Sequence, residues 1–267
     1  MSAVAQPALE LNDVSLAFAG ATQNTHLVLS TLDLRVSAGE FVCFVGPTGC
    51  GKSTLLNIAA GLLRPSSGNV RVFGQALSGL NRKAGYLFQS DALLPWRTAL
   101  DNVAAGLVFR GVPLAEARNQ GQAWLTRVGL AGFGDRYPYQ LSGGMKKRVA
   151  LAQVLVLDPK IVLMDEPFSA LDVQTRSMME NQLLDLWSAD RKSVLFITHD
   201  LEEAIALADR VVLLSAGPGS RIIGDYPITL PRPRDVAEIR MDEDFVALHR
   251  EIWQALRAQV QQAHAQS

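Results

Sequence analysis

No stretch of this chain is long and apolar enough to cross a bilayer, which takes about 20 consecutive apolar residues. The greasiest runs, such as Val154–Leu157 and Val211–Leu214, are short and bounded by polar, glycine or proline residues. The opening Met1–Gln6 carries neither the basic segment nor the apolar core of a secretion signal, so the expectation is a cytoplasmic protein whose membrane link, if any, comes from a partner. Cysteine is scarce. There are two, Cys43 in an expected buried strand and Cys50 inside a glycine loop; a bridge would distort that loop, so both are read as reduced thiols. An excess of charge is missing too: 25 basic residues face 26 acidic ones, leaving no broad field to draw the chain to nucleic acid or anionic lipid. Nucleic acid is therefore not an expected partner. No internal repeat or low-complexity tract occurs, which argues against tandem architectures.

What is present is ample apolar material, 48% of 267 residues, enough for one large core with an insertion. Leu9, Leu11, Val14 and Leu16, then Leu32, Leu34 and Val36, alternate with polar positions as half-buried antiparallel strands do. Phe41–Val45 reads as a fully buried strand. It runs into Gly46-Pro47-Thr48-Gly49-Cys50-Gly51-Lys52-Ser53, after which Leu55, Leu56, Ile58, Ala59 and Leu62 recur at helical spacing until Pro65. From about 99 to 157 the pattern is mostly helical. Ile161–Met164, Val194–Thr198 and Val211–Leu214 are β-rich runs separated by helical segments, the alternation of a parallel sheet. The expected fold is α/β: a mainly parallel core sheet, an antiparallel N-terminal β subdomain and an inserted helical subdomain. Three prolines between 227 and 234 mark an extended connector, and beyond it Phe245, Leu248, Ile252 and Leu256 form a helical stripe that packs on its own domain or a second copy. The expected division is 1–235, containing the helical subdomain 99–157, and a helical tail, 236–267.

The Gly46–Ser53 segment satisfies G-x-x-x-x-G-K-S with a strand before it and a helix after it. Polyphosphate needs many donors in a small space. The glycines let backbone N–H groups point inward, the helix start adds positive potential, and Lys52 brings a full charge to the β- and γ-phosphates. Ser53 offers a hydroxyl to Mg²⁺, and Thr54 follows within the same helix start. Ile161-Val162-Leu163-Met164-Asp165-Glu166 places two carboxylates at the end of a buried strand, where a parallel sheet presents its ligand edge. Standing alone, such a pair is more often a helix N-cap and first-turn carboxylate. Beside a phosphate loop, Asp165 reads as a Mg²⁺ residue and Glu166 as the group that orients and polarises the attacking water. Ser142 can cap a helix whose first turn, Gly143-Gly144, exposes N–H groups to an anion.

The phosphate loop alone leaves GTPases, kinases and helicases open. Leu141-Ser142-Gly143-Gly144-Met145, the strand ending Asp165-Glu166-Pro167 and the run Ser169-Ala170-Leu171-Asp172 together resemble the signature, Walker B and D-loop series of ABC transporter ATPases. The resemblance spans about Leu9 to Pro233. It implies ATP and Mg²⁺ as cofactors and a head-to-tail dimer in which one copy's signature closes on nucleotide held by the other's phosphate loop, with Asp172 at that junction. It further implies that Gln89 contacts Mg²⁺ or the lytic water, that His199 contacts the γ-phosphate, and that Phe18 stacks on adenine. Met145 departs from the commoner glutamine, which removes a polar side chain and leaves Ser142 and the backbone donors in place. Leu93-Leu94-Pro95-Trp96 offers apolar surface for a docking helix, or fills the joint between core and helical subdomain.

With the Leu230-Pro231-Arg232-Pro233-Arg234 connector, these features are similar to importers of nitrate, sulfonates, taurine and related small solutes. The implied setting is the cytoplasmic side of the inner membrane, with transmembrane permease subunits as partners and a periplasmic or extracellular solute-binding protein beyond them. Exporter, lipid-trafficking and soluble ABC ATPases share the catalytic residues and stay open; the lack of a coiled-coil insertion and of basic excess counts against the soluble kind. Cys50 reads as a small residue serving the loop; its nearness to a helix start is the ground for an alternative, a lowered pKa and sensitivity to alkylation.

Overall fold

In the computed structural model, which describes residues 6–19 and 25–266, two sheets divide the strands. The opening segment 1–5, read above as lacking a secretion signal, and residues 20–24 lie outside the described residues. In chain order the elements are β1 (Leu9–Ala19), β2 (Thr25–Val36), β3 (Phe41–Val45), α1 (Lys52–Ala59), β4 (Ser67–Val72), β5 (Gln75–Ala76), β6 (Ala84–Leu87), α2 (Ala99–Phe109), α3 (Leu114–Arg127), α4 (Gly143–Leu155), β7 (Ile161–Asp165), α5 (Val173–Asp190), β8 (Ser193–Ile197), α6 (Leu201–Leu207), β9 (Arg210–Leu214), β10 (Ile222–Pro227), α7 (Val236–Ile239) and α8 (Glu243–Gln266). The small sheet is antiparallel, in the order β2-β1-β4-β5, and the large one runs β10-β9-β3-β8-β7-β6. Among the described residues only β10 is antiparallel within the large sheet.

The continuous apolar runs of the large sheet follow from burial on both faces. Successive side chains alternate across a strand, so Phe41, Cys43 and Val45 pack with Met164, Phe196 and helices α4 to α6. Val42 and Phe44 point the other way, onto α1 and the small sheet's Leu9, Leu11 and Leu34. Helices α2, α3 and α4 share a third apolar cluster around Val103, Leu125 and Val149. The stripe of α8 resolves the choice of partner: Phe245, Ile252 and Leu256 join the core cluster of their own chain, beside α6. Among the described residues no helix is long and apolar enough to cross a membrane.

Helix α1 ends sooner than its apolar spacing predicts. Asn81 takes over the last carbonyls, its backbone N–H donating to Ala60 (2.9 Å) and its side chain to Ala59 (3.0 Å), and Leu62 falls outside the helix and is exposed. The proline-rich connector is anchored by Arg234, whose buried guanidinium donates to the carbonyls of Ile205, Ala206 and Ala208 at the end of α6 and of Leu230 and Pro231 in the connector. A cation at that end also complements the helix dipole.

Two carboxyl groups are buried where α5 meets α6. Glu180 and Glu203 face each other, with Arg240 3.5 Å from Glu180 and with Asp200, Arg176 and Thr198 close by. Burial pushes the Glu203 carboxyl up to about 8, while Thr198's hydrogen bond lowers it and the neighbouring Glu180 and Asp200 charges raise it. The folded chain therefore holds a proton that the unfolded chain releases near its ordinary glutamate value. Stability from this group is full at acid pH and is lost as pH rises through about 8. Urea unfolding followed between pH 5 and 9 is expected to show a falling midpoint, and Glu203→Gln, which carries no titrating proton, is expected to flatten that fall. An unchanged pH slope in the variant would assign the proton elsewhere.

Candidate active site

The central strand β3 delivers the chain to the carboxyl edge of the large sheet, where α1 begins. Gly51 caps that helix at φ 91°, and a Cβ there would come within 2.8 Å of Leu29 Cδ2, so the loop needs glycine both for its conformation and for its fit under the small sheet. Lys52 is buried. Its Nζ donates to the carbonyls of Gly46 (2.8 Å) and Pro47 (3.0 Å), which hold the ammonium inside the loop. One residue on, Ser53 Oγ donates to Asp165 Oδ1 at 3.0 Å. The other carboxylate oxygen meets the Tyr86 hydroxyl at 3.5 Å, which also reaches Asn57. Burial raises the Asp165 carboxyl above its ordinary value, the Ser53 hydrogen bond opposes this, and the adjacent Glu166 charge adds to the rise. Among the described residues no group of three or more His, Cys, Asp or Glu could hold a metal alone. A hydroxyl and one carboxylate beside a phosphate loop instead form the partial set of hard oxygens that Mg²⁺ takes when phosphate and water complete its shell.

Glu166 leaves β7 in a left-handed conformation, φ 44°, uncommon for a residue with a side chain. It is held there from two sides. Its N–H donates to Ile197 O (3.0 Å), and its carbonyl accepts from Ser169 Oγ (3.0 Å). The turn brings the carboxylate to His199, with Nδ1 and Oε2 3.0 Å apart. Strand ends β7 and β8 thus face the phosphate loop across one cleft, lined by Thr48, Gly49, Gly51, Lys52, Ser53, Thr54, Gln89, Asp165, Glu166 and His199. A carboxylate and an imidazole in mutual contact beside a polyphosphate-type loop can orient a water molecule and accept its proton.

His26 and Val28 of β2 also line the cleft and went unremarked in the sequence; nothing in a half-polar strand marks them, because only the folding of the small sheet over the loop brings them there. Phe18 is 45% exposed and is the cross-strand partner of His26, next to the cleft and not in its wall. Ser142, Gly143, Gly144 and Asp172 do not line this cleft. They form two helix starts elsewhere: Ser142 Oγ accepts from Met145 N–H (3.3 Å) at the head of α4, and Asp172 accepts from Thr175 N–H (3.0 Å) at the head of α5. The two heads pack so closely that a Cβ on Gly144 would lie 2.7 Å from Thr175 Cγ2.

Gly46, Pro47 and Cys50 make the inner side of the loop. Of the two readings of Cys50, the structure supports the small loop residue and not the reactive thiol: it is buried, with Sγ packed against Gly46, and burial raises its thiol above the ordinary value despite the lowering effect of Lys52. The helix start cannot offset the loss of solvation. In the segment after Gln89, Leu93 fills the joint between core and helical cluster, while Trp96 is 72% exposed, so the two readings of that segment divide between these side chains.

Residues 29–169 match the ABC transporter family. The chain is 44% identical to the taurine import ATP-binding protein of Chromobacterium violaceum over 258 residues, 96% of this chain and 98% of that protein. It is 41% identical to the nitrate import ATP-binding protein of Synechocystis sp. over 254 residues, 93% and 95% of the two. Among solved structures, a dimeric ATP-binding cassette in a post-hydrolysis state, bound to ADP and Pi, superposes with a TM-score of 0.74 at 31% identity, covering 84% of this chain and all of that one. Sequence likeness along nearly the whole length and likeness of fold lead to the same place: the chain belongs to the ABC transporter family, as an ATP-binding and ATP-hydrolysing subunit.

Proposed function

We propose that this chain powers import of a small solute of the nitrate, sulfonate or taurine class, working as a head-to-tail pair of copies docked on separate permease subunits at the cytoplasmic face of the cell membrane. The observation that carries the pairing is the position of the signature. Ser142, Gly143 and Gly144 form a capped helix start open to an anion, yet they stand outside the cleft of their own chain. A second copy turned to face the first brings that start to the phosphates held by Lys52, and Asp172 comes with it. The unit that does this is 1–235, with 99–157 as its helical subdomain and 236–267 as a tail. A solute-binding protein on the far side of the membrane delivers cargo that this chain never touches.

Within each site the loop N–H groups and Lys52 bind the triphosphate, and Phe18, beside the cleft, stacks on the base. Ser53, Asp165 and Gln89 would hold Mg²⁺, which when bound neutralises charge on the transferring phosphoryl group. Glu166 orients the lytic water and accepts its proton, and His199 positions both that carboxylate and the γ-phosphate. The names of the relatives support the import direction and the cargo class.

Ser142→Arg tests the pairing, because it blocks the helix start and leaves the phosphate loop untouched. Binding of a fluorescent ATP analogue is expected to stay within about threefold of the parent. The ATP-induced dimer seen by light scattering is expected to vanish, and turnover with it. A variant that still pairs and hydrolyses ATP would show that the helix start serves no neighbour. Uptake of labelled taurine and nitrate by cells with and without this chain tests the cargo class.

A further inference from the structure

Lys147 sits on α4, one turn beyond the signature, and its side chain is only 6% exposed. Burying an ammonium is costly unless hydrogen bonds and opposite charge compensate it, so its partners matter. There are two. Nζ donates to the main-chain carbonyl of Gln89 at 2.6 Å and lies 3.0 Å from Asp91 Oδ1.

The stretch it reaches has little else to hold it. Strand β6 ends at Leu87, Ala92 takes a left-handed φ of 49°, and the next fastening is Asn102, which binds Leu94 through both its N–H and its carbonyl. Among the described residues no other side chain hydrogen-bonds to the Gln89–Ala92 segment. The Gln89 side chain faces the cleft that holds Asp165, Glu166 and His199. Five residues before Lys147, at the same end of α4, Ser142 caps the helix start that in the paired-copy reading serves the neighbouring copy.

We propose that Lys147 is a positioning residue: it sets Gln89 through the main-chain carbonyl and ties it to α4, so that the state of one nucleotide cleft is passed to the signature serving the other. A helix is stiff along its axis, and a buried charge-assisted hydrogen bond at 2.6 Å is short and strong. A shift of Gln89 on nucleotide binding therefore pulls on α4 close to its head. The Asp91 carboxylate offsets the buried charge, and the carbonyl bond carries the coupling. The link to the second cleft rests on the paired-copy reading above; the setting of Gln89 does not.

Three variants of the full-length chain separate these parts, each measured for kcat, KM, the Hill coefficient for ATP and the Kd of a fluorescent ATP analogue. Lys147→Met keeps length and removes the donor. It is expected to lower kcat by about 10- to 100-fold, since small misplacements of positioning groups cost that much. KM and Kd are expected to stay within about threefold, and the Hill coefficient to fall towards one. Lys147→Gln still offers an N–H to the Gln89 carbonyl and is expected to recover kcat to within about threefold of the parent, as is Asp91→Asn, which leaves that bond intact. Parental kcat in Lys147→Met overturns the proposal. So does a Lys147→Gln variant as slow as Lys147→Met, since that assigns the effect to charge alone, and so does loss of nucleotide binding in step with kcat, since that makes Lys147 part of the scaffold only. A parent chain with a Hill coefficient of one would count against paired copies, and the kcat loss with its rescue by glutamine would still decide the link to Gln89.

Discussion

Glu166→Gln is expected to lower kcat for ATP hydrolysis by at least ~100-fold, within the range that general-base catalysis contributes, while nucleotide affinity stays within about threefold of the parent. The structure explains the separation of the two effects. Backbone bonds to Ile197 and Ser169 hold Glu166 in its left-handed turn, and glutamine keeps the same shape and can still bond to His199 Nδ1. What the amide cannot do is accept a proton from water at neutral pH. Lys52 and its loop, the proposed phosphate-binding groups, are on a different element and are undisturbed. ATP should therefore bind, draw two copies together and stay uncleaved, so that a nucleotide-bound dimer accumulates in light scattering where the parent shows a transient one. Parental turnover in this variant would remove the water-orienting role from Glu166 and leave His199 or Gln89 to carry it.

The parts of the fold that the sequence made legible are those where one physical rule dominates. Strands β3, β7, β8 and β9 lie within a residue of the predicted runs because a strand buried on both faces must be apolar throughout. The strand-loop-helix order around Gly46–Ser53 was legible because glycines separate a fully apolar run from one of helical spacing. What escaped depends on long-range contact. The end of α1 is the exception, for Gly61 announces it locally: it takes a left-handed φ of 71° and lets Leu62 N–H close on Asn57 O, while Asn81, more than 20 residues away, takes the Ala59 and Ala60 carbonyls. The alternative for Cys50, a lowered pKa, rested on its place beside a helix start, but the burial that decides its pKa comes from the closing of the loop against β9. Lys147 drew no reading from the sequence, where it stands between Lys146 and Arg148; only the packing of α4 beneath the Gln89 loop singles it out. Glu180 and Glu203 likewise look like surface acids until α5 and α6 meet.

Replacing the loop lysine should act on binding where Glu166→Gln acts on turnover. Lys52→Ala is expected to weaken ATP binding by about 100-fold, the equivalent of one or two charge-assisted hydrogen bonds at roughly 1.5–3 kcal/mol each. The ammonium is buried and pinned by the Gly46 and Pro47 carbonyls, so it stands ready for phosphate without first being ordered, and its charge works in a cleft less screened than bulk water. Alanine loses the charge and leaves those two carbonyls facing a cavity that water can enter from the cleft, so the thermal midpoint should move far less than the affinity. Lys52→Arg separates charge from shape: guanidinium keeps the charge but spreads it over a planar fork too wide for the point held by two carbonyls, and it should recover only part of the affinity. Isothermal titration of the three proteins with MgATP distinguishes the cases. Full affinity in Lys52→Ala would mean that the backbone N–H groups and the helix start suffice to hold the triphosphate, and that the lysine serves only to shape the loop.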